Sequence, residues 1–300
     1  MKVLITGGAG FIGSHVAEFF QGKAEVRVLD NLRSGFLENL SGLDAQVFQG
    51  SILDRDLVRK AVAGVDYVFH LAAMISVPES MQVPVECNDI NTTGTLVVLE
   101  EAARAGVKKL CLSSSAAIYG DNPVMPKLET MVPEPKSPYA ITKLDGEYYC
   151  RMFSTEGRLK TSSLRYFNVF GPRQDPKSPY AAAVAIFFDK ARRNETITIY
   201  GNGEQTRDFV SVKDVAAANA YLAMNDFTGV YNVAYGECIS IRTLAEKIIR
   251  LTGSASEIQY APERSGDVKH SQACIHKLLA TGFKPASSLE EGLSLMAQLG

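Results

Sequence analysis

No apolar run in this 300-residue sequence approaches the ~20 residues a helix needs to cross a bilayer, so no membrane span is expected. Cysteine is scarce. The five, Cys87, Cys111, Cys150, Cys238 and Cys274, are scattered and include no CxxC pair. That argues against structural zinc and a disulfide framework, and suits a reducing cytoplasm. His15, His70, His270 and His276 lack metal-ligand spacing, so each reads as a packing or surface histidine and no metal is expected. Charge is balanced at a formal net of -2, with no long basic run, which argues against nucleic-acid binding. Internal repeats and low-complexity segments are absent. The N-terminus enters a strand-like run directly, so no signal peptide is expected. The length allows a large core and one or two domains.

What is present begins at Gly7-Gly8-Ala9-Gly10-Phe11-Ile12-Gly13. This glycine loop follows the apolar run Val3-Leu4-Ile5 and precedes an amphipathic run over 11–20. Strand, glycine turn and helix in that order are what a dinucleotide site requires. Gly7 can make the tight turn, Gly10 can let backbone N–H groups approach a pyrophosphate, and Gly13 can let helix and strand pack closely. The helix N-terminus then offers unpaired amides and a partial positive charge to the phosphates. A second apolar run, Val26-Arg27-Val28-Leu29, ends in Asp30. Its carboxylate can accept from the adenine-ribose hydroxyls and repel a 2′-phosphate, which favours NAD over NADP. Arg33 nearby softens that preference.

Strand-like runs at 2–6, 25–30, 45–49, 67–70, 109–113 and 161–166 alternate with helix-like runs at 11–20, 54–63, 89–105 and 138–156. The pattern predicts an α/β fold: a doubly wound parallel sheet of Rossmann type, covered on both faces by helices. Gly7, Asp30, Ala72, Ser113–Ser115 and Asn168 fall at the carboxyl ends of strands, where such sheets bind ligands. After Gly171 a proline-rich loop leads to a different texture. Helix is expected over 180–193, 212–224 and 241–251, and strand over 197–200 and 230–234. These form a smaller α/β lobe, giving domains at 1–170 and 171–300, with some later segments free to return to the first.

Ser137-Pro138-Tyr139 reads as a helix start, with Ser137 as cap and Pro138 at the first position. Tyr139 and Lys143 then share a face, and Ser113-Ser114-Ser115 ends the preceding strand. A free phenol has a pKa of ~10 and is a poor base at neutral pH. The Lys143 ammonium and a positive nicotinamide ring would favour the phenolate; a shift of about three units needs about 4 kcal/mol. Tyr139 could then take a proton from a substrate hydroxyl as hydride leaves the same carbon, with Ser115 bonding that hydroxyl.

Together these motifs resemble the extended short-chain dehydrogenase/reductase family, and within it the NAD-dependent nucleotide-sugar epimerases. The resemblance rests on Thr6 to His15, Asp30-Asn31, His70-Leu71-Ala72-Ala73, Asn91-x-x-Gly94-Thr95, Ser113 to Gly120 and Ser137 to Lys143. It continues through Arg165 to Arg173, Tyr200-Gly201-x-Gly203, Arg207-Asp208-Phe209-Val210 and Arg264-x-Gly266-Asp267-Val268. It implies Ser115, Tyr139 and Lys143 as catalytic. At the cofactor it implies Gly7, Gly10, Phe11, Ile12, Gly13, Asp30, Asn31, Ser34, Gly35, Ser51, Ile52, Leu71, Ala72, Ala73, Asn91, Ser113 and Tyr166, with Tyr139 and Lys143. At the substrate it implies Ser76, Asn168, Tyr200, Arg207, Arg264, Asp267 and Ser271, with Ser115 and Tyr139. Arg207 and Arg264 would neutralise a diphosphate. Ser51 departs from the aspartate the family often carries against the adenine amino group.

Relatives that dehydrate or decarboxylate sugars resemble enzymes with an acid just after the catalytic serine or threonine. Here Ala116 and Ala117 stand there. The resemblance therefore implies an isomerase: reversible inversion at carbon 4 of a UDP-hexose through a 4-keto intermediate. A position seven residues after Arg264 gates the pocket in the epimerases. Ser271 there leaves room for a 2-acetamido group, so UDP-glucose, UDP-galactose and their N-acetyl forms are expected substrates. A UDP-glucuronate epimerase stays open, with Arg173, Lys177 or Arg192 to meet a carboxylate. So does a nucleotide-sugar reductase or dehydrogenase with exchangeable cofactor. The family also implies a homodimer through the Tyr139/Lys143 helix and the helix from about Asp89, with Tyr148, Tyr149, Met152 and Phe153 as its apolar stretch.

Overall fold

A computed structural model describes residues 1–176, 182–263 and 269–298, which divide into two compact units. Unit one comprises Met1–Asn122, Glu129–Tyr166 and Ala216–Asn232; unit two comprises Pro123–Leu128, Phe167–Val215 and Val233–Gly300. Pro123–Leu128 belongs to unit two although unit one flanks it on both sides, and Ala216–Asn232 belongs to unit one.

Unit one holds β1 (Lys2–Thr6), β2 (Glu25–Asp30), β3 (Ala45–Gln49), β4 (Tyr67–His70), β5 (Lys109–Ser115) and β6 (Lys160–Tyr166). The seven-stranded sheet runs Gly229–Val233, β6, β5, β4, β1, β2, β3, and the ladders from β3 to β6 are all parallel. Central strands buried on both faces need continuous apolar runs, and Val3, Leu4 and Ile5 are fully buried. The strand expected over 230–234 forms as Gly229–Val233 and is one of the later segments that return to the first lobe, as the outer strand of this sheet. Asn232 is the reason. Its N–H donates to Glu129 Oε1 at 2.9 Å and its Oδ1 accepts from the buried Tyr119 hydroxyl at 2.7 Å. Lys109 Nζ secures the same returning segment by donating to the carbonyls of Leu222, Asn225 and Phe227.

The helices of this unit are α1 (Phe11–Phe20), α2 (Arg55–Val62), α3 (Val77–Gln82), α4 (Pro84–Asn88), α5 (Gly94–Arg104) and α6 (Pro138–Thr155). The helix expected over 89–105 differs at its start. Helical structure begins at Pro84 and reaches α5 through a widened turn, Asp89–Thr93. Such turns form where a side chain engages neighbouring backbone. Here Asn91 exchanges bonds with the Met74 backbone, donating to its carbonyl at 3.0 Å and accepting from its N–H at 2.7 Å. On α6, Phe153 is buried and Tyr149 packs against the core, leaving Tyr148 and Met152 of the expected apolar stretch outward.

Unit two has its own core, built from Phe170, Phe188, Ile197, Phe209, Leu244, Ile248 and Leu293. Helices Ala183–Arg192 and Ile241–Thr252 cover short ladders: Asn168–Phe170 with Phe209–Ser211, Ile197–Tyr200 with Ile258–Ala261, and Thr206–Arg207 with Ile239–Ser240. Tyr180, expected to open the first of these helices, lies outside the described residues. Asp208, fully buried, accepts from the N–H groups of Tyr235, Gly236 and Ala273 at 2.9 to 3.2 Å. Burial pushes its pKa up to about 6 against those bonds.

Candidate active site

The floor of the site is the glycine loop. Gly7 has φ +70, and a Cβ there would lie 2.7 Å from the Ala72 nitrogen. A Cβ on Gly13 would lie 2.1 Å from the Gly7 carbonyl oxygen. Only hydrogen at both positions lets α1 begin this close to β1 and β4. Gly10 precedes α1 without a side-chain cap, and the first turn carries no acid, so its amides meet no carboxylate of their own helix. Phe11 and Ile12 form that turn, both half-buried.

Asp30 has a second job beside the one expected. Its Oδ2 accepts from the Ala9 N–H at 2.9 Å and its Oδ1 from the Leu32 N–H at 2.8 Å. The carboxylate at the end of β2 therefore holds the glycine loop in place. Arg33, expected to weaken the preference for NAD, has its guanidinium on Glu79 at 2.9 Å and on Glu86. Two carboxylates thus compete for the charge that a 2′-phosphate would need. Asn31 Oδ1 accepts from the Arg33 N–H, Ser34 is exposed, and Gly35 is buried beneath Ala9. Ser51 Oγ accepts from the Leu53 N–H at 3.1 Å, and Ile52 packs into the core. Leu71, Ala72 and Ala73 follow β4, half-buried, with the Ala72 N–H donating to Thr6 Oγ1.

Two expected cofactor residues have their side chains committed to the protein. The Asn91 amide also donates to Thr142 Oγ1 at 3.0 Å, so it braces the loop after β4 against α6. The Tyr166 hydroxyl is buried against the Asn219 side-chain amide. Ser76, expected at the substrate, caps α3 by accepting from the Glu79 N–H at 3.0 Å.

The catalytic group is brought together by α6 and β5. Ser137 caps α6 by accepting from the Ala140 N–H at 3.2 Å, and Pro138 follows. The Tyr139 N–H donates to Ser80 Oγ at 3.2 Å. One turn on, Lys143 Nζ donates to the Ser113 carbonyl at 2.8 Å and lies 5.8 Å from the centroid of the Tyr139 ring. Ser115 Oγ accepts from the Ala117 N–H at 3.1 Å, and the Ser115 hydroxyl is near enough to the Tyr139 phenol to favour its phenolate.

The electrostatics add burial to the expectation. Burial raises the Tyr139 pKa, opposed by Ser115. Burial also pushes Lys143 down to about 8. The lysine alone does not make the phenol acidic in the cofactor-free protein. Its ammonium is drawn to a backbone carbonyl, and burial is the largest influence on the phenol.

In unit two, Asn168 Nδ2 donates to the Asp208 carbonyl at 3.0 Å, and Arg207 Nη1 to the Thr206 carbonyl at 2.9 Å. The Ser271 N–H donates to the Thr206 carbonyl at 3.1 Å, which places the half-buried Ser271 on a segment running beside Arg207. Tyr200 ends its strand partly exposed. Arg264 and Asp267 lie outside the described residues, as does Lys177. Arg192 donates to the Met296 carbonyl at 2.5 Å, which occupies one of the cations considered for a uronic carboxylate.

A family model described as the NAD dependent epimerase/dehydratase family matches residues 3–234. The chain belongs to that family. Its cofactor is NAD, and the glycine cradle, the uncapped α1 and the Asp30 carboxylate fit that molecule. The epimerase/dehydratase chain is 35% identical over 98% of its length to the UDP-glucose 4-epimerase of Mycolicibacterium smegmatis, covering 96% of that relative. Among solved structures it is similar to a Methanobrevibacter ruminantium UDP-N-acetylglucosamine 4-epimerase in complex with UDP-N-acetylmuramic acid. That match has TM-score 0.95 and 41% identity, covering 99% of this chain and 97% of that one. A Thermotoga maritima UDP-glucose 4-epimerase with UDP-glucose matches at TM-score 0.94 and 42% identity, covering 99% and 98%.

In this epimerase/dehydratase chain His70 is more than packing. Its Nδ1 meets Thr6 Oγ1 at 2.6 Å and its Nε2 meets Thr95 Oγ1 at 2.9 Å. Thr95 donates onward to the Asn91 carbonyl, so Nε2 carries the hydrogen and the ring is neutral. Burial, then the Lys143 charge, push its pKa down to about 3. The folded state binds fewer protons than the unfolded chain between pH 6.5 and about 3, so stability falls with pH through that window. The expected loss is about 2 kcal/mol at pH 5. Melting temperatures of wild type and His70→Asn from pH 7 to 5 check this: the variant's slope should be shallower, and equal slopes would contradict it.

Motif reading missed Glu147 and gave Arg165 no role. The signal was available, since Glu147 continues the stripe of Tyr139 and Lys143 one turn further along α6. Among the described residues no group of three or more His, Cys, Asp or Glu could hold a metal ion, and no helix is long and apolar enough to cross a membrane.

Proposed function

We propose that this protein inverts carbon 4 of UDP-hexoses reversibly, with NAD retained through the cycle. The observation that carries the reading is the turn Ala116–Tyr119, which begins directly at Ser115. Its first two positions carry methyl groups, so nothing there can protonate a leaving hydroxyl or steer an elimination. What remains is the Ser115, Tyr139 and Lys143 set. Bound NAD supplies reversible hydride acceptance. Tyr139 takes the proton of the sugar 4-hydroxyl and returns it after the 4-keto sugar has turned. Ser115 holds that oxygen through its own hydroxyl, itself oriented by the Ala117 N–H. Lys143, tied to the Ser113 carbonyl, keeps a positive charge on the phenol's side of the site as long as it stays protonated. Arg207 and Asn168 bind the nucleotide diphosphate. UDP-glucose incubated with purified protein and no added cofactor should yield UDP-galactose by NMR. A dehydrated or decarboxylated product alone would reject the reading.

The small Ser271 supports acceptance of 2-acetamido sugars as well. Ser271→Tyr should depress turnover of UDP-N-acetylglucosamine by about 5- to 150-fold more than that of UDP-glucose, since an overfilled pocket costs about 1–3 kcal/mol. Equal losses on both would place the gate elsewhere. The outer face of α6 exposes Ile141, Tyr148 and Met152 at 48%, 49% and 39%, which suits pairing with a second copy. The five cysteines form no disulfide and three of them are buried, which suits work in the cytoplasm.

A further inference from the structure

Behind the catalytic group lies a buried ion pair that the proposed chemistry does not use. Glu147 and Arg165 are 4% and 3% exposed. Arg165 Nε donates to Glu147 Oε1 at 2.9 Å and Nη2 donates to Oε2 at 2.7 Å, a bidentate fork. Ser114 Oγ donates to the same Glu147 Oε1 at 2.5 Å. The Arg165 guanidinium also lies 4.8 Å from the centroid of the Tyr119 ring, and Nη1 reaches the Glu129 carbonyl at 3.4 Å.

These contacts join every element that carries a catalytic side chain. Tyr139, Lys143 and Glu147 follow one another at four-residue steps along α6, so they share a face. Lys143 grips β5 at the Ser113 carbonyl, and Glu147 grips it at the Ser114 hydroxyl. Arg165 stands opposite Ser114 in the β5–β6 ladder. Tyr119 closes the turn that starts at Ser115. The pair therefore sets how far α6 slides along β5, and with it the placing of the Tyr139 phenol against the Ser115 hydroxyl. Burying two charges is a poor way to gain stability, because well-packed apolar residues in their place are often neutral or stabilising. What a fork adds is a single allowed register.

We propose that Glu147 and Arg165 are positioning residues, which hold α6 in the one register on β5 that brings Tyr139 to Ser115. The proposal rests on the catalytic reading of Tyr139 and Ser115. A groove of about 450 Å³ borders the pair, lined by Leu144, Arg151, Thr161 and Ser163 among others, so small solutes can reach the space an arginine side chain leaves.

The test uses the double variant Glu147→Leu/Arg165→Met, the single variant Arg165→Ala and a Tyr139→Phe control, in purified full-length protein. The double variant should melt at or above the wild-type temperature. Its kcat should fall at least about tenfold, the scale of a sub-ångström misplacement, while KM for UDP-glucose stays within about twofold. Arg165→Ala should lose kcat similarly and regain part of it with millimolar guanidinium, though not with sodium at equal ionic strength. Wild-type kcat in the double variant, with Tyr139→Phe inactive, overturns the positioning role alone. A double variant that melts far below wild type makes the pair a stability device, which also overturns it. Activity retained in Tyr139→Phe overturns the catalytic reading beneath it.

Discussion

Tyr139→Phe should lower kcat by about 10²- to 10⁴-fold, the usual contribution of a placed acid–base group. KM for UDP-glucose and the melting temperature should change little, because the substitution removes one hydroxyl and the ring stays. The structure makes this expectation more demanding than the motif did. In the cofactor-free protein burial raises the phenol's pKa above that of a free tyrosine, opposed by Ser115. Subtracting the phenolate absorbance of Tyr139→Phe from that of wild type isolates residue 139 among the twelve tyrosines. Without NAD the difference should appear at higher pH than for a free tyrosine; with NAD bound it should move to lower pH, because a positive ring nearby favours the phenolate. A midpoint unchanged by NAD would mean that the phenol is not the proton carrier.

Gly13→Ala should cost more than its single methyl suggests. A Cβ there would stand 2.1 Å from the Gly7 carbonyl oxygen and 2.8 Å from the Gly8 Cα, both rigid backbone. The loop has to move, and the amides at the start of α1 move with it. Losing two hydrogen bonds to a charged phosphate costs roughly 3–6 kcal/mol, or about 10²- to 10⁴-fold in NAD affinity. Gly10→Ala is the graded comparison, since its Cβ meets the Gly7 oxygen at 3.2 Å. Calorimetric titration with NAD should rank wild type tightest, then Gly10→Ala, then Gly13→Ala. Wild-type affinity in Gly13→Ala would show that the loop does not grip the phosphates as described.

Much of the architecture was legible because parallel strands write themselves as short apolar runs and the glycine loop has few alternatives. Strands at 2–6, 25–30, 45–49 and 67–70 fall where the runs lie, and the catalytic face of α6 follows from its cap and spacing. Asp30 was found for one partner and turned out to have two, since its bond to Ala9 depends on a tertiary approach that spacing does not encode. The lobe that Gly229–Val233 joins could only be left open, because strand membership is decided by long-range partners, here Tyr119 and Glu129, more than a hundred residues away. The direction of the Tyr139 shift was hidden for a similar reason. Charge pairs can be read from a sequence, whereas desolvation needs the depth at which each group is buried.

The central claim is that the hydrogen removed from carbon 4 is the one given back, with only the hydroxyl proton passing through Tyr139. It is tested most directly by converting UDP-glucose in D₂O with the purified protein and no added cofactor, and reading carbon 4 of the product by NMR. The account predicts UDP-galactose that keeps its original, undeuterated hydrogen at carbon 4. Deuterium at that carbon, or inversion that continues undiminished in Tyr139→Phe under the same conditions, would contradict it.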